Sequence, residues 1–447
     1  MIIANFVPLQ QQMTQSQKHK GSLIFIFITI LVDVIGIGII IPVIPTLIES
    51  MTGQPLNEAA GIGGLLMLSF AGMQFLFSPL LGELSDRYGR RPILLIALAG
   101  LGVDYYFHAV AWSIEWLFVG RILAGICGAS FTVATAYIAD ISTKENKAKN
   151  FGLVGAAFGV GFVIGPAIGG FCAQWGTAVP FYVAAAFTLL NFCFGLFILP
   201  ESLPKEKRRK IVWTKAIPGV SLVHLNKYGN LLGLLVAFVL VHMAGQVMPT
   251  TWSFFAMEMY GWEELGVGIS LMVVGLLVGI VQGGLIGWST KKFGNRKVIM
   301  FGFVAWTVGM LSFAVAFNEV YFYLGIIPYV LGGVAGPTIQ GVMSNKVPAD
   351  EQGNLQGVLT SMVSLTAIFG TLLYPFLFYV YAAEEAPVYF PGAPFLMGGA
   401  FLVIASIVAY VALRRMKDID EVVDQPEVKH EPVDDGPLKE EEDFEVT

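Results

Sequence analysis

"GELSDRYGRRP", residues 82–92, sets Glu83, Asp86, Arg87, Arg90 and Arg91 between two long apolar runs. Only 13% of the 447 residues are charged, so this concentration marks a point where the chain leaves an apolar phase and turns back into it. The wider composition agrees. Hydrophobic residues make up 55% of the chain and the mean hydropathy is +0.71. Soluble globular domains carry about 25% charged residues. The composition therefore excludes a soluble multidomain protein and indicates an integral membrane protein.

A membrane-crossing helix needs about 20 apolar residues. Hydropathy predicts spans near 22–48, 60–82, 92–111, 116–138, 151–173 and 178–199. Six more follow near 229–254, 264–289, 297–317, 320–342, 354–382 and 391–413. Their length and glycine content fit helices rather than barrel strands, so the fold class is all-α. Lys and Arg concentrate on the cytoplasmic side of membrane proteins. With both termini inside, 25 of the 26 basic residues fall on that side and none on the outer loops. Only Arg121 lies within a span. No small-residue cleavage site follows the first apolar run, so the sequence predicts retention of that run as a span. The expected location is the inner membrane, crossed many times. Cys127, Cys172 and Cys193 all lie in apolar stretches, which argues against a disulfide framework.

An offset of 205 residues relates the two halves. It pairs Gly82 with Gly287, Tyr88 with Phe293, Gly89 with Gly294 and Arg91 with Arg296. It also pairs Gly128 with Gly333, Gly152 with Gly357 and Gly165 with Gly370. A constant offset across separated regions indicates a duplicated six-helix unit. The expected organisation is a tail over 1–21, one half over 22–199, a basic linker over 200–228, a second half over 229–413 and a tail over 414–447. Residues 417–447 hold 13 acidic and 3 basic side chains with few aromatics, a composition that does not fold alone.

Several motifs resemble those of one family. Gly82, Asp86, Arg87, Gly89, Arg90 and Arg91 match the G-x-x-x-D-R-x-G-R-R turn of the major facilitator superfamily. "GVGFVIGPAIGG", residues 159–170, resembles the fifth-helix motif of its drug/proton antiporters, with Gly161, Gly165, Pro166, Gly169 and Gly170 at the key places. "DVIGIGIIIPVIPTL", from Asp33, and "GRILAGICGA", from Gly120, resemble the first- and fourth-helix motifs of the tetracycline/proton antiporter branch. The resemblance covers residues 22–413. It implies that the Gly82–Pro92 turn latches the halves on the cytoplasmic side and that its basic residues pair with Asp140. It implies a bend at helix five between the halves, without direct chemistry there.

Read from the residues alone, the turn's arginines orient the chain, its glycines permit tight turns, and Asp86 can offset a helix dipole. In the second copy Lys291 and Lys292 replace Asp86 and Arg87, so that copy is expected mainly to orient. A charge at the bilayer centre costs about 2.5–3.5 kcal/mol on insertion scales, so intramembrane ionisable residues point to function. Asp33, Asp104 and Arg121 are the candidates. An Asp33–Arg121 pair switched by protonation of Asp33 is expected; a static structural pair is the alternative. Asp104, in "GVDYYFH", resembles the third-helix aspartate of the tetracycline exporters, and either relays protons or bonds Tyr105 or a neighbouring helix. His108 reads as an interfacial or hydrogen-bonded residue. His242, Gln246, Trp252 and Gln340 are candidates for a substrate cavity, or else packing and interface residues.

The resemblance has gaps. The tetracycline exporters carry a helix-nine aspartate where this chain has Trp306, and Val278 stands where a helix-eight histidine occurs in them. The expected function is proton-coupled efflux of an amphipathic small molecule, a tetracycline-like compound among the candidates. Uptake or facilitated diffusion of a metabolite is the alternative. A membrane enzyme or receptor is a remote third. No metal-ligand spacing, nucleophile–base pair or G-x-x-x-x-G-K-[ST] loop occurs, so neither enzyme chemistry, a cofactor nor ATP use is expected. Expected partners are the substrate, protons and lipid, with no nucleic acid and a monomeric state.

Overall fold

The computed structural model describes residues 15–128, 130–142, 147–213, 217, 231–348 and 352–416. The acidic segment 417–447, residues 1–14 and the linker stretches 214–216 and 218–230, Lys215 and Lys227 included, lie outside the described residues, as does Lys144. Among the described residues, twelve helices are long and apolar enough to cross a membrane. In the first half they are α1 (Gly21–Ile40), α2 (Leu56–Tyr88), α3 (Arg90–Val110), α4 (Ile114–Ile141), α5 (Leu153–Ala173) and α6 (Val179–Ile198). In the second they are α7 (Leu232–Tyr260), α8 (Glu264–Phe293), α9 (Asn295–Ala314), α10 (Glu319–Asn345), α11 (Leu355–Tyr381) and α12 (Ala393–Arg415). A short helix, Ile44–Thr52, follows α1. Successive spans alternate in direction. The face where α2 meets α3 also carries the linker and is called the linker face; the opposite one is the far face.

The expected charged loop is hardly a loop. Helix α2 runs on to Tyr88 and α3 begins at Arg90, so Gly89 alone lies between them. Its φ of 107° lies in a region that an L side chain rarely adopts, and so allows the reversal in one residue. The repeat is reproduced: α8 ends at Phe293, α9 begins at Asn295, and Gly294 between them has φ 80°. Helices α4 and α10 both break at the paired glycines Gly128 and Gly333.

The halves pack alike. In the first, α1 lies on α5 and α3 on α4 and α6; in the second, α7 lies on α11 and α9 on α10 and α12. Between halves, α5 crosses α8 and α2 crosses α11. Small residues allow such crossings in lipid, where dispersion contacts rather than water exclusion drive helix association. A Cβ at Gly64 would stand 2.7 Å from the Thr371 carbonyl oxygen, and one at Gly268 2.5 Å from that of Pro166. Ser253 donates across the halves to the Ile41 carbonyl at 2.9 Å. All of these contacts belong to the far-face part of the molecule. Nearer the linker face, Gly155 and Gly159 on α5, and Gly279 and Gly283 on α8, have open space around them. The halves are therefore closed at the far face and parted towards the linker face.

Candidate functional site

The residues of "GPAIGG" divide between two partners. Gly161, Gly165 and Gly169 face α1, where added Cβ atoms would meet Val34 and the carbonyls of Ile35 and Ile39. Gly170 and the Pro166 carbonyl face Glu264 and Gly268 at the start of α8, in the other half. Pro166 lies inside the α5 helix. The motif is thus the crossing point of the halves and carries no titratable group.

A cleft of about 1140 Å³ opens from this crossing towards the linker face. Phe158 and Phe162 of α5, Met248 of α7, Gln282 of α8, Trp306 of α9 and Tyr329 of α10 line it. Trp306 and Tyr329 meet edge to face, with centroids 5.9 Å apart. The residue standing in place of the exporters' helix-nine acid is therefore a wall of the cleft. None of the four cavity candidates is. His242 donates Nδ1–H to the Phe238 carbonyl of its own helix at 2.9 Å and packs on the Phe238 ring. Gln246 lies against Gly370 of α11. Trp252 is fully buried, gives Nε1–H to Ser270 at 2.9 Å, and sits among Phe313, Phe322, Tyr329 and Phe395. Gln340 donates to Gln356 of α11 at 3.0 Å. The position of Trp252 near a span end suggested an interfacial or cavity role, but its large ring is satisfied within an aromatic core.

The intramembrane charges also pair differently from expectation. Arg121 does not form its ion pair with Asp33. Its Nη2 lies 2.6 Å from Asp104 Oδ2, and its Nε donates to His108 Nε2 at 3.0 Å. Asp104 is fully buried and His108 is 1% exposed. Arginine has only donors, so His108 Nε2 must hold a lone pair and the ring proton must sit on Nδ1. That proton goes to the Asp104 backbone carbonyl oxygen at 3.0 Å, while Asp104 Oδ1 lies 3.0 Å from Nδ1 without accepting a hydrogen bond. His108 is neutral in this arrangement, between a carboxylate and a guanidinium. Phe181 of α6 stacks beneath its ring at 5.4 Å. Gly120 makes room: a Cβ there would stand 2.6 Å from His108 Cε1 and 2.7 Å from Asp104 Oδ1. Asp104 thus bonds a neighbouring helix, α4, through Arg121. The signal for His108 was present in the sequence: positions 104 and 108 are four apart and share one helix face. Asp33 stays on α1, close enough to Tyr105 of α3 to act on it electrostatically.

At the linker face, Arg90 joins Asp86 at 2.5 Å and Asp140, at the end of α4, at 3.0 Å. Ser202 also donates to Asp140, at 3.1 Å. Glu201 accepts the backbone N–H groups of Arg90 at 2.9 Å and Arg91 at 3.3 Å, both otherwise orphaned at the start of α3. Arg91 donates to the Leu196 carbonyl at 2.7 Å. Linker residue Arg209 reaches both Asp86 and buried Glu83, and Val212 N–H donates to Glu83 at 2.9 Å. Arg87 is exposed, over the Tyr88 ring. The implied pairing with Asp140 is present, but the turn's ion pairs tie it to α4 and the linker rather than to the second half.

Comparison with known proteins agrees with this geometry. The pattern of the Major Facilitator Superfamily matches residues 26–289 and 283–438. The tetracycline resistance protein, class E, of Escherichia coli is 40% identical over 352 residues, 78% of this chain and 86% of that protein. The class C protein of Escherichia coli is 36% identical over 398 residues, 89% of this chain and 98% of that one. Among solved structures, an inward-facing, unoccupied bacterial homolog of the human lysosomal transporter Spinster superposes with a TM-score of 0.71 at 16% identity, covering 90% of this chain and 98% of that one. The human organic anion transporter MFSD10 gives 0.68 at 20% identity, covering 88% and 99%. These structures share the fold. The chain belongs to the Major Facilitator Superfamily: it is a multi-pass inner-membrane transporter, not an enzyme, similar in sequence to tetracycline resistance proteins.

Proposed function

We propose that this transporter exports an amphipathic small molecule, tetracycline-like compounds among the candidates, in exchange for protons. The linker face is cytoplasmic in this reading, because the basic residues gather there. The observation that carries the proposal is the Asp104–His108–Arg121 cluster, an ion pair with a neutral histidine buried within the spans. A proton on Asp104 removes the charge that holds Arg121 to α3. A proton on His108 Nε2 removes the acceptor of the Arg121 Nε–H. Either event frees a guanidinium beside the crossing helices, and loss of the proton restores the pair. Intramembrane ionisable groups of this kind serve as proton relays. The aromatic and apolar cleft, with Gln282 as a polar contact, suits a planar amphipathic substrate.

One observation favours the metabolite or proton-independent reading. Among the described residues, no carboxylate lines the cleft, and Trp306 stands in the place of the exporters' acid. Full-length protein in vesicles with an imposed pH gradient, screened against tetracyclines and other amphipathic drugs, separates the readings. Substrate-dependent proton movement that Asp104→Asn abolishes is the expected result. Transport indifferent to the gradient would sink the proposal.

A further inference from the structure

The second copy of the charged turn is not absorbed by this function. The 205-residue offset places Trp288 opposite Glu83, Lys291 opposite Asp86, Lys292 opposite Arg87 and Lys297 opposite Pro92. In the first copy Glu83 and Asp86 hold a cation, Arg209. In the second copy that acidic pair has become an aromatic ring and a lysine. Among the described residues, no carboxylate lies within ion-pair distance of Lys291, Lys292 or Lys297. The local charge is inverted, so this copy can hold an anion where the first holds a cation.

The shape beside it is specific. A groove of about 390 Å³ runs between the end of α8, the start of α9 and α10. Leu285, Trp288, Phe293, Phe301, Leu331 and Val334 give it an apolar lining, and Lys297 is the one charged residue along it. Trp288, Phe293 and Phe301 are each about half exposed, on the outside of the bundle rather than in the cleft. Lys292 Nζ stands 5.0 Å from the centre of the Trp288 ring and 5.5 Å from that of Phe293, which holds the ammonium at the groove's edge. Helix α8 carries a π-helical segment, Val281–Leu285, directly before this stretch. The extra residue in that turn resets the direction in which the Trp288 and Phe293 rings leave the helix.

We propose that this groove binds an anionic phospholipid, one acyl chain along the apolar lining and the phosphate between Lys292 and Lys297. The lining faces the bilayer, where an acyl chain is the available apolar occupant. Tryptophan and lysine together at a helix end place the headgroup level there. Basic pockets between transmembrane helices bind anionic headgroups in this way. Lys291, exposed on the same helix end, adds to the attraction.

The test uses the full-length protein in vesicles containing brominated phosphatidylglycerol or brominated phosphatidylcholine. Bromine quenches nearby tryptophan, and subtracting the Trp288→Phe signal isolates Trp288. Phosphatidylglycerol is expected to quench Trp288 at roughly tenfold lower mole fraction than phosphatidylcholine. Lys292→Gln with Lys297→Gln should remove that preference, and Lys292→Glu with Lys297→Glu should reverse it. Equal quenching by both lipids overturns the proposal. So does quenching by neither, the result expected if the acidic segment 417–447 covers the groove. Loss of the preference in 10 mM inorganic phosphate overturns it too, because a free anion would then be the ligand.

Discussion

Positions 104, 108 and 121 and their repeat partners 309, 313 and 326 occupy equivalent places in the two halves, yet they hold opposite chemistry. The first set is Asp104, His108 and Arg121; the second is Gly309, Phe313 and Ile326. What the duplication has kept is the close approach of helices. A Cβ at Gly120 would meet His108, and one at its partner Gly325 would meet Phe313 at 3.1 Å. Around Phe313 the rings of Trp252, Phe322, Tyr329 and Phe395 lie with centroids 5.1 to 5.5 Å away. The shared backbone frame therefore holds an ion pair in one half and an aromatic core in the other. Ionisation can change the packing of the first half, whereas this part of the second half acts as a rigid counterpart.

The strongest way to break the comparison is to make the first half resemble the second. Asp104→Gly, His108→Phe and Arg121→Ile together should still give a folded protein, because replacing a buried ion pair with apolar groups is often neutral or stabilising. Substrate-dependent proton movement should be lost entirely. Arg121→Gln alone should be worse for folding, since Asp104 stays buried without its cation, at a cost of about 3–5 kcal/mol. Thermal unfolding in detergent and proton flux in vesicles read the two effects separately. If the triple variant kept coupled transport, the asymmetry between halves would not be functional.

The converse cut is Phe313→Ala. Its cost should be roughly 3 kcal/mol, mostly as lost packing in an apolar surround. The pH dependence of transport should not change, because no titratable side chain among the described residues touches that ring cluster except the tyrosines. A shifted pH profile, measured in the same vesicles, would show that the aromatic core takes part in coupling.

These contrasts also show what was legible in the sequence. Spans and repeat were, because a glycine required by a close crossing or a positive φ cannot be exchanged freely, and Gly89 and Gly294 kept their places. The partner of Arg121 was not. Hydropathy identifies which helices carry charges but not their rotation about their own axes, and the choice between Asp33 and Asp104 depends on that rotation. Trp252 misled for a related reason: depth along a span can be read from the sequence, whereas inward or outward facing requires the neighbouring helices. The latch was also invisible, since whether the Gly82–Pro92 turn meets the second half depends on which face is closed.

The smallest expected effect concerns that closure. Glu49, in the short helix after α1, has its carboxyl pKa raised above the usual range by burial first, and then by the charges of Glu258 and Glu264 in the other half. When the halves part at the far face, those two charges recede and the pKa falls back. A raised value in the closed state means that closure is favoured fully at pH below the ordinary carboxylate range. The advantage is lost as pH rises through the raised value. Acidification on the far side should therefore shift the population towards the far-closed arrangement. Glu49 is only partly buried, so the effect is screened and should stay below about 1 kcal/mol. Spin-label distances across the far face, recorded between pH 4 and pH 8, should show a shift that flattens in Glu49→Gln. A shift that survives that substitution unchanged would show that Glu49 takes no part in the far-face response.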